Sequence, residues 1–196
     1  GGKAVIENTA GIKVGNNEAI AIYMSKGAYV ENKSSNILTG TDSIIAYIEG
    51  QGTKLLNTGN LDINTEGVAF YIKDGEIENH GDLSALGDGI IGFYGKNASI
   101  VNHGNVISSG HNYGIGIYGE NSVITNSGNI ELGDTAIIND MNPSDPGNRY
   151  AVGIYGEFSA VTNSGNISIG DNGIGMYSFE QRGDIVNSGN ITSQKN

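Results

Sequence analysis

The sequence predicts an all-β chain folded as a single parallel β-helix, and three observations lead there. A phrase centred on one asparagine recurs at Asn8, Asn32, Asn57, Asn79, Asn102, Asn126, Asn163 and Asn187, with spacings of 24, 25, 22, 23, 24, 37 and 24. A tyrosine column keeps step at Tyr23, Tyr47, Tyr71, Tyr94, Tyr118, Tyr155 and Tyr177, with the same anomaly of 37. Within each period, apolar residues alternate with small or polar ones over short segments, the pattern of strands with one buried face. A unit of three short strands cannot bury a face alone, but copies stacked on one another can. The expectation is about eight coils of 22–25 residues covering 1–196. At strand spacing they make a rod ~35–40 Å long, right-handed by analogy with parallel crossover connections.

Residues 113–134 show the grammar. Gly114-Ile115-Gly116-Ile117-Tyr118 is a strand, Gly119-Glu120-Asn121-Ser122 a turn, Val123-Ile124-Thr125-Asn126 a second strand. Ser127-Gly128 turns the chain again, Asn129-Ile130-Glu131-Leu132 is a third strand, and Gly133-Asp134 closes the unit. No window carries a sustained 3.6-residue apolar stripe, so no helix is expected.

On the first strand the alternation places two columns inside: Ile20, Ile44, Val68, Ile91, Ile115, Val152, Ile174, and Ile22, Ala46, Phe70, Phe93, Ile117, Ile154, Met176. The second strand contributes Ile6, Val30, Leu55, Ile77, Ile100, Ile124, Val161 and Ile185. The third contributes Ile12, Ile37, Leu61, Leu83, Val106, Ile130, Ile167 and Ile191. The anchor asparagine follows an inward residue by two, so it points inward as well. A buried amide needs partners, and asparagines stacked coil on coil supply them. Gly59, Gly81, Gly104, Gly128, Gly165 and Gly189 fit turn positions with positive φ. Asn121 reads as an exposed turn residue where alanine should be nearly silent.

The spacing of 37 marks an inserted loop at 135–150 between two coils. It holds both prolines, Pro143 and Pro146, which no inner ladder accommodates. The apolar columns resume at Val152, so the loop leaves the rod and is dispensable to it. Ile137 and Ile138 are expected to fold its base onto the coil. Asp140, Asn142, Asp145, Asn148 and Arg149 then form an exposed tip, read as a solvated insertion, a recognition loop or an oxygen-rich calcium site.

Composition removes several functions. The 196 residues include 32 glycines, 25 asparagines and 27 isoleucines, but no cysteine, and the net charge is −11. Thiol chemistry, disulfides and thiolate metal sites are excluded. An acidic chain repels phosphate backbones, so nucleic acid is not an expected partner. No apolar run reaches the ~20 residues that span a bilayer. The repeat pattern is in progress at both ends, which suggests a stretch of a longer array.

Candidate sites follow from the columns. If Ile115 and Ile117 point in, Gly116 and Tyr118 point out. The phenols, Tyr71, Tyr94, Tyr118 and Tyr155 among them, would then border a low outward strip of Ala21, Ile45, Ala69, Gly92, Gly116, Gly153 and Gly175. That row either stabilises the sheet through ring contacts or offers a flat face to sugars or proteins. Arg182-Gly183-Asp184 is an integrin-type tripeptide in a turn. His80 and His103 share an exposed column, but no third ligand recurs within it. Glu18, Asp42, Glu66 and Asp88, then Asn112, are expected to stack at the unit boundary, where like charges ~4.8 Å apart repel by about 0.9 kcal/mol in water; the acids splay into solvent or hold a cation. Gly114 to Gly119 matches G-x-G-x-x-G but lies in a strand, without the helix a dinucleotide site requires. No catalytic residue, metal or cofactor is expected.

The phrase Asn-Ser-Gly-Asn-Ile after Gly-Ile-Gly-Ile-Tyr-Gly-Glu, at 114–130 with near-copies at 153–167 and 173–191, resembles the passenger repeats of large type V autotransporter adhesins, particularly RadD-like outer-membrane adhesins of fusobacteria. The resemblance implies a rod displayed outside the cell, anchored by a C-terminal barrel and attaching to host-cell or bacterial surface receptors, protein or glycan. A polysaccharide lyase or hydrolase is the alternative, since parallel β-helices often carry those activities. Such sites need carboxylates clustered on a coil face, and the basic residues here are few and dispersed.

Overall fold

The computed structural model describes residues 3–7, 11–15, 17–135, 150–180 and 183–193, and in it the chain winds as a parallel β-solenoid of about seven turns. No helix occurs among the described residues. The six-residue strands Ile20–Ser25, Ile44–Glu49, Val68–Lys73, Ile91–Lys96, Ile115–Glu120, Val152–Glu157 and Ile174–Phe179 pair in sequence to form one sheet. A second sheet stacks eight strands from Lys3–Ile6 to Ile185–Asn187, and a third stacks six from Leu61–Ile63 to Ile191–Ser193. Every pairing is parallel, and Tyr94 sits over Tyr71 as Asn102 sits over Asn79.

The second apolar column of the long strands is the core: Ala46, Phe70, Phe93, Ile117 and Ile154 are all buried. The rings of Phe70 and Phe93 lie 5.2 Å apart. Leu55, Ile77, Ile100 and Ile124 face them from the second sheet, and Leu61, Leu83, Val106 and Ile130 from the third. Each such side chain contributes roughly 1.5–3 kcal/mol on burial.

The first column departs from the expectation. Ile44, Val68, Ile91 and Ile115 are only half-buried, and Ile20 is 44% exposed. The neighbours expected outside, Ile45, Ala69, Gly92, Gly116 and Gly153, are buried instead. Two successive residues of each long strand therefore face inward, and strict alternation fails between the first and third positions. A cross-coil partner is recorded for Ile44 and for Ala46 but not for Ile45 between them, which locates the bend. Little room is left there: a Cβ on Gly116 would stand 2.5 Å from the Gly153 carbonyl oxygen and 2.9 Å from Ile130 Cγ2. No low outward strip lies beside the tyrosines.

The asparagine ladder forms as expected. Asn32, Asn57, Asn79, Asn102, Asn126 and Asn163 are buried. Each Nδ2 donates to Oδ1 of the asparagine in the next coil at 2.6–2.8 Å, the last to Asn187. The same Nδ2 donates to the carbonyl two residues on, as Asn126 does to Gly128. The ladder begins one coil later than expected. Ile6, not Asn8, pairs with Asn32, because the strand Lys3–Ile6 is shifted by two residues; Asn8 lies outside the described residues.

The turn glycines have a different cause from the one expected. None of Gly59, Gly81, Gly104, Gly128, Gly165 and Gly189 has positive φ. A Cβ on each would collide with a carbonyl of the preceding coil, for Gly128 that of Gly104. Coil spacing, not backbone handedness, excludes side chains there. Left-handed geometry falls instead on the turns flanking the long strands, before them at Glu18, Asp42, Glu66, Gly89, Tyr113 and Asn172 and after them at Lys26, Gly50, Asp74, Asn97, Asn121, Phe158 and Glu180. Asn121 has φ +49° and donates from Nδ2 to Asn97 Oδ1 at 2.7 Å, so it is not a silent site. Alanine there should lower stability by about 1 kcal/mol, since asparagine tolerates the left-handed region through its short polar side chain and alanine does not. Asn121→Gly should restore most of that loss in thermal melts, and equal melting of Asn121→Ala and wild type would refute the assignment.

Thr135, the first residue of the expected loop, belongs to the stack: its N–H donates to Asp171 O at 3.0 Å and its hydroxyl to Asn172 O at 2.9 Å. Its Oγ1 also accepts from the N–H of Ala151 at 3.1 Å, so the two ends of the insertion meet. Ile137, Ile138, Asp140, Asn142, Pro143, Asp145, Pro146, Asn148 and Arg149 lie outside the described residues.

Candidate functional site

The long strands carry seven tyrosines on the outward face, one per coil. Between Tyr47 and Tyr155 successive rings stack 4.8 Å apart with interplanar angles of 7–13°. Tyr23 and Tyr177 end the row at 5.6 and 5.0 Å. Parallel register makes the stack: residues with the same place in every coil are spaced by one strand separation, which is also the contact distance of aromatic faces. Tyr71, Tyr94, Tyr118 and Tyr155, all named from the sequence, are thus brought together as half-buried neighbours.

A rail of charge runs beside the rings, two residues after each tyrosine from Tyr47 to Tyr155. Tyr23 donates to Glu49 Oε2 at 2.9 Å, and Lys73 donates to Glu49 Oε1 at 3.1 Å. Lys96 holds Glu120 at 2.8 Å, and Tyr118 donates to Glu157 Oε2 at 3.0 Å. The hydrogen bond from Tyr23, followed by that from Lys73, keeps the Glu49 carboxyl below the usual carboxylate range. These charges were not among the candidates read from the columns. Their signal was available, because Glu49, Lys73, Lys96, Glu120 and Glu157 recur at one place in the repeat.

Burial, then the hydrogen bond to Glu157, raises the Tyr118 phenol well above its ordinary value, and burial raises Tyr47, Tyr94 and Tyr155 as well. A raised folded-state value means that this contribution to stability is intact below about pH 10, the unfolded value for tyrosine, and is lost as pH rises further. Melting temperature is therefore expected to fall above that pH, and Tyr118→Phe to reduce the fall. A wild-type melting temperature constant through the same range would contradict the coupling.

The remaining candidates are placed as follows. Arg182 lies outside the described residues. A Cβ on Gly183 would stand 2.5 Å from that of Ala160, and the Asp184 carbonyl accepts from Val161 N–H at 2.9 Å. The Gly-Asp half of the tripeptide is therefore packed against the coil, with Asp184 exposed. The acidic column is broken. Gly89 and Tyr113, not Asp88 and Asn112, continue the line of Glu18, Asp42 and Glu66, as the backbone bonds Asp42 N–H to Thr65 O, Glu66 N–H to Asp88 O and Gly89 N–H to Asn112 O show. Asp88 stands one place earlier and accepts the Asn112 N–H at 2.7 Å. The glycines from Gly114 to Gly119 lie in or beside the strand Ile115–Glu120, with no helix following.

A second ladder was not anticipated. Asn60, Asp82, Asn105, Asn129 and Asn166 each accept, through Oδ1, the backbone N–H of the matching residue one coil on, at 2.8–3.1 Å. The asparagine, or in one coil aspartate, after each turn glycine was its mark. Two ladders on either side of one turn hold that corner in register and leave the tyrosine face on a rigid support.

Over its whole length, residues 1–196, the chain matches the family model described as BigA third pectate lyase-like domain. No curated protein and no solved structure matches it.

Proposed function

Because the chain belongs to the BigA third pectate lyase-like domain family, we propose that it is a rod segment of a bacterial surface adhesin that holds its aromatic face toward receptors outside the cell. The observation that carries this reading is the outward tyrosine stack. Aromatic side chains that serve the core, Phe70 and Phe93, are inside, whereas seven phenols are spread along the exterior beside half-buried charge. Tyrosine is enriched at interfaces because it joins apolar area to a polar tip, and a flat row of rings suits sugar rings or a protein surface. The repeat wording at 114–130, 153–167 and 173–191 supports a type V autotransporter passenger of the RadD-like kind, displayed at the outer membrane and acting in virulence. The insertion tip and the tripeptide at 182–184 are secondary candidates for contact.

The words "pectate lyase-like" favour a second reading, cleavage of an acidic polysaccharide. The described carboxylates give it little support. Glu49, Glu120 and Glu78 are engaged by Lys73, Lys96 and Lys54 of neighbouring coils at 2.8–3.2 Å. A groove bordered by Lys33, Ser35, Asn36, Thr58, Gly59 and Asn60 contains no carboxylate. Incubation with immobilised acidic and neutral polysaccharides, with and without calcium, separates the readings. Retention of the chain without new reducing ends is expected; release of reducing ends would establish the enzyme.

A further inference from the structure

His80 and His103 occupy one column in neighbouring coils, and their rings stack with centroids 4.7 Å apart. The sequence shows no third ligand in that column, but the structure brings one from the adjacent column. Glu78 precedes His80 by two residues, so it leaves the strand on the same face, and its Oε1 lies 3.0 Å from His80 Nε2. One ligand atom from each of Glu78, His80 and His103 can be chosen so that all lie within 4.8 Å of one another. We propose that Glu78, His80 and His103 bind a divalent cation of the zinc class, with water at the open coordination positions.

The supporting bonds fit that role. Ser127 Oγ lies 2.8 Å from His103 Nδ1 and 3.3 Å from Asn102 O, so with its proton on that carbonyl it can accept the ring N–H and leave Nε2 for the cation. A ligating histidine is commonly oriented in this way by a bond from its other nitrogen. Two imidazoles and one carboxylate suit zinc, which often takes three protein ligands and a water. Tetrahedral zinc with bonds of 2.0–2.1 Å sets ligand atoms about 3.4 Å apart, so the side chains must close by about 1.4 Å. Their exposure permits this: the side chains of His80 and Glu78 are 45% and 35% exposed. Upstream, the corresponding acid, Glu31, faces Lys33 at 3.5 Å. In the Glu78 coil a histidine stands where that lysine would be, and a bound cation supplies the positive charge. Lys54, 3.2 Å from Glu78 Oε2, remains on the outer oxygen.

Titration of the whole chain with zinc chloride by calorimetry tests the proposal. One saturable site is expected. His80→Gln and His103→Gln should each weaken it at least ~10-fold, with circular dichroism unchanged. His111→Gln should leave it intact, because His111 pairs instead with Asp88, at 3.7 Å. Absence of a saturable site, or equal affinity in wild type and the His80→Gln/His103→Gln double variant, would overturn it.

Discussion

Replacing Ile117 with aspartate is expected to abolish the folded rod. Ile117 is fully buried, with Phe93 and Ile154 above and below it in the same column. A carboxylate there has no cationic partner and no water. An isolated buried charge costs several kcal/mol, a large part of the margin that keeps a domain folded. The informative control is Ile115→Asp. Two residues earlier on the same strand, Ile115 is half-exposed, and its carboxylate can reach solvent. Loss of the cooperative melt in Ile117→Asp with survival in Ile115→Asp is the expected pair. Equal damage would mean that the inward and outward faces of the long strand are wrongly assigned.

Asn126→Ala carries the next largest effect. Removing the amide deprives Gly128 O and Asn163 Oδ1 of their donor and Asn102 Nδ2 of one acceptor. Each buried group left unpaired costs about 1–3 kcal/mol. Asn129→Ala removes a rung of the outer ladder, where Asn129 is exposed and water replaces its bond to the Asn166 N–H. Chemical denaturation should show a much larger loss for Asn126→Ala. Comparable losses from the two would remove the inner ladder as a principal source of stability.

These variants probe the two places where pattern and structure relate most differently. The inner asparagine ladder was legible because its cause is local. A residue two places after an inward side chain points inward on a regular strand, and a buried amide must be bonded. The core columns of the second and third strands were legible for the same reason, except at the ends of the stack, where Ala4 rather than Ile6 pairs with Val30 and Ile191 is 46% exposed. The first strand was not, because it bends. At the bend Gly116 and Ile117 both face in, and alternation displaced the readings of Ile115 and Gly116. The turn glycines illustrate another limit. Composition marks Gly128 as constrained, yet the constraint is the carbonyl of Gly104 in the coil below, a contact between residues 24 apart. The tyrosine column was read correctly as an outward row. The outward strip expected beside it was not; the residues of the charged rail share one place in the repeat, but their ion pairs form only between stacked coils. The pairing of Glu78 with two histidines could not be read from one column, because its members come from two columns and two coils.

Receptor binding by the tyrosine face is the property proposed for this rod. The direct measurement is binding of the chain to a glycan array and to host and bacterial cells, comparing wild type with a Tyr94→Ser/Tyr118→Ser variant of unchanged circular dichroism. Both rings stand mid-row, half-buried and outside the core, so the rod should survive the change. The account predicts that wild type is retained on at least one surface and that the double variant loses most of that retention. Retention undiminished in the folded double variant would contradict it.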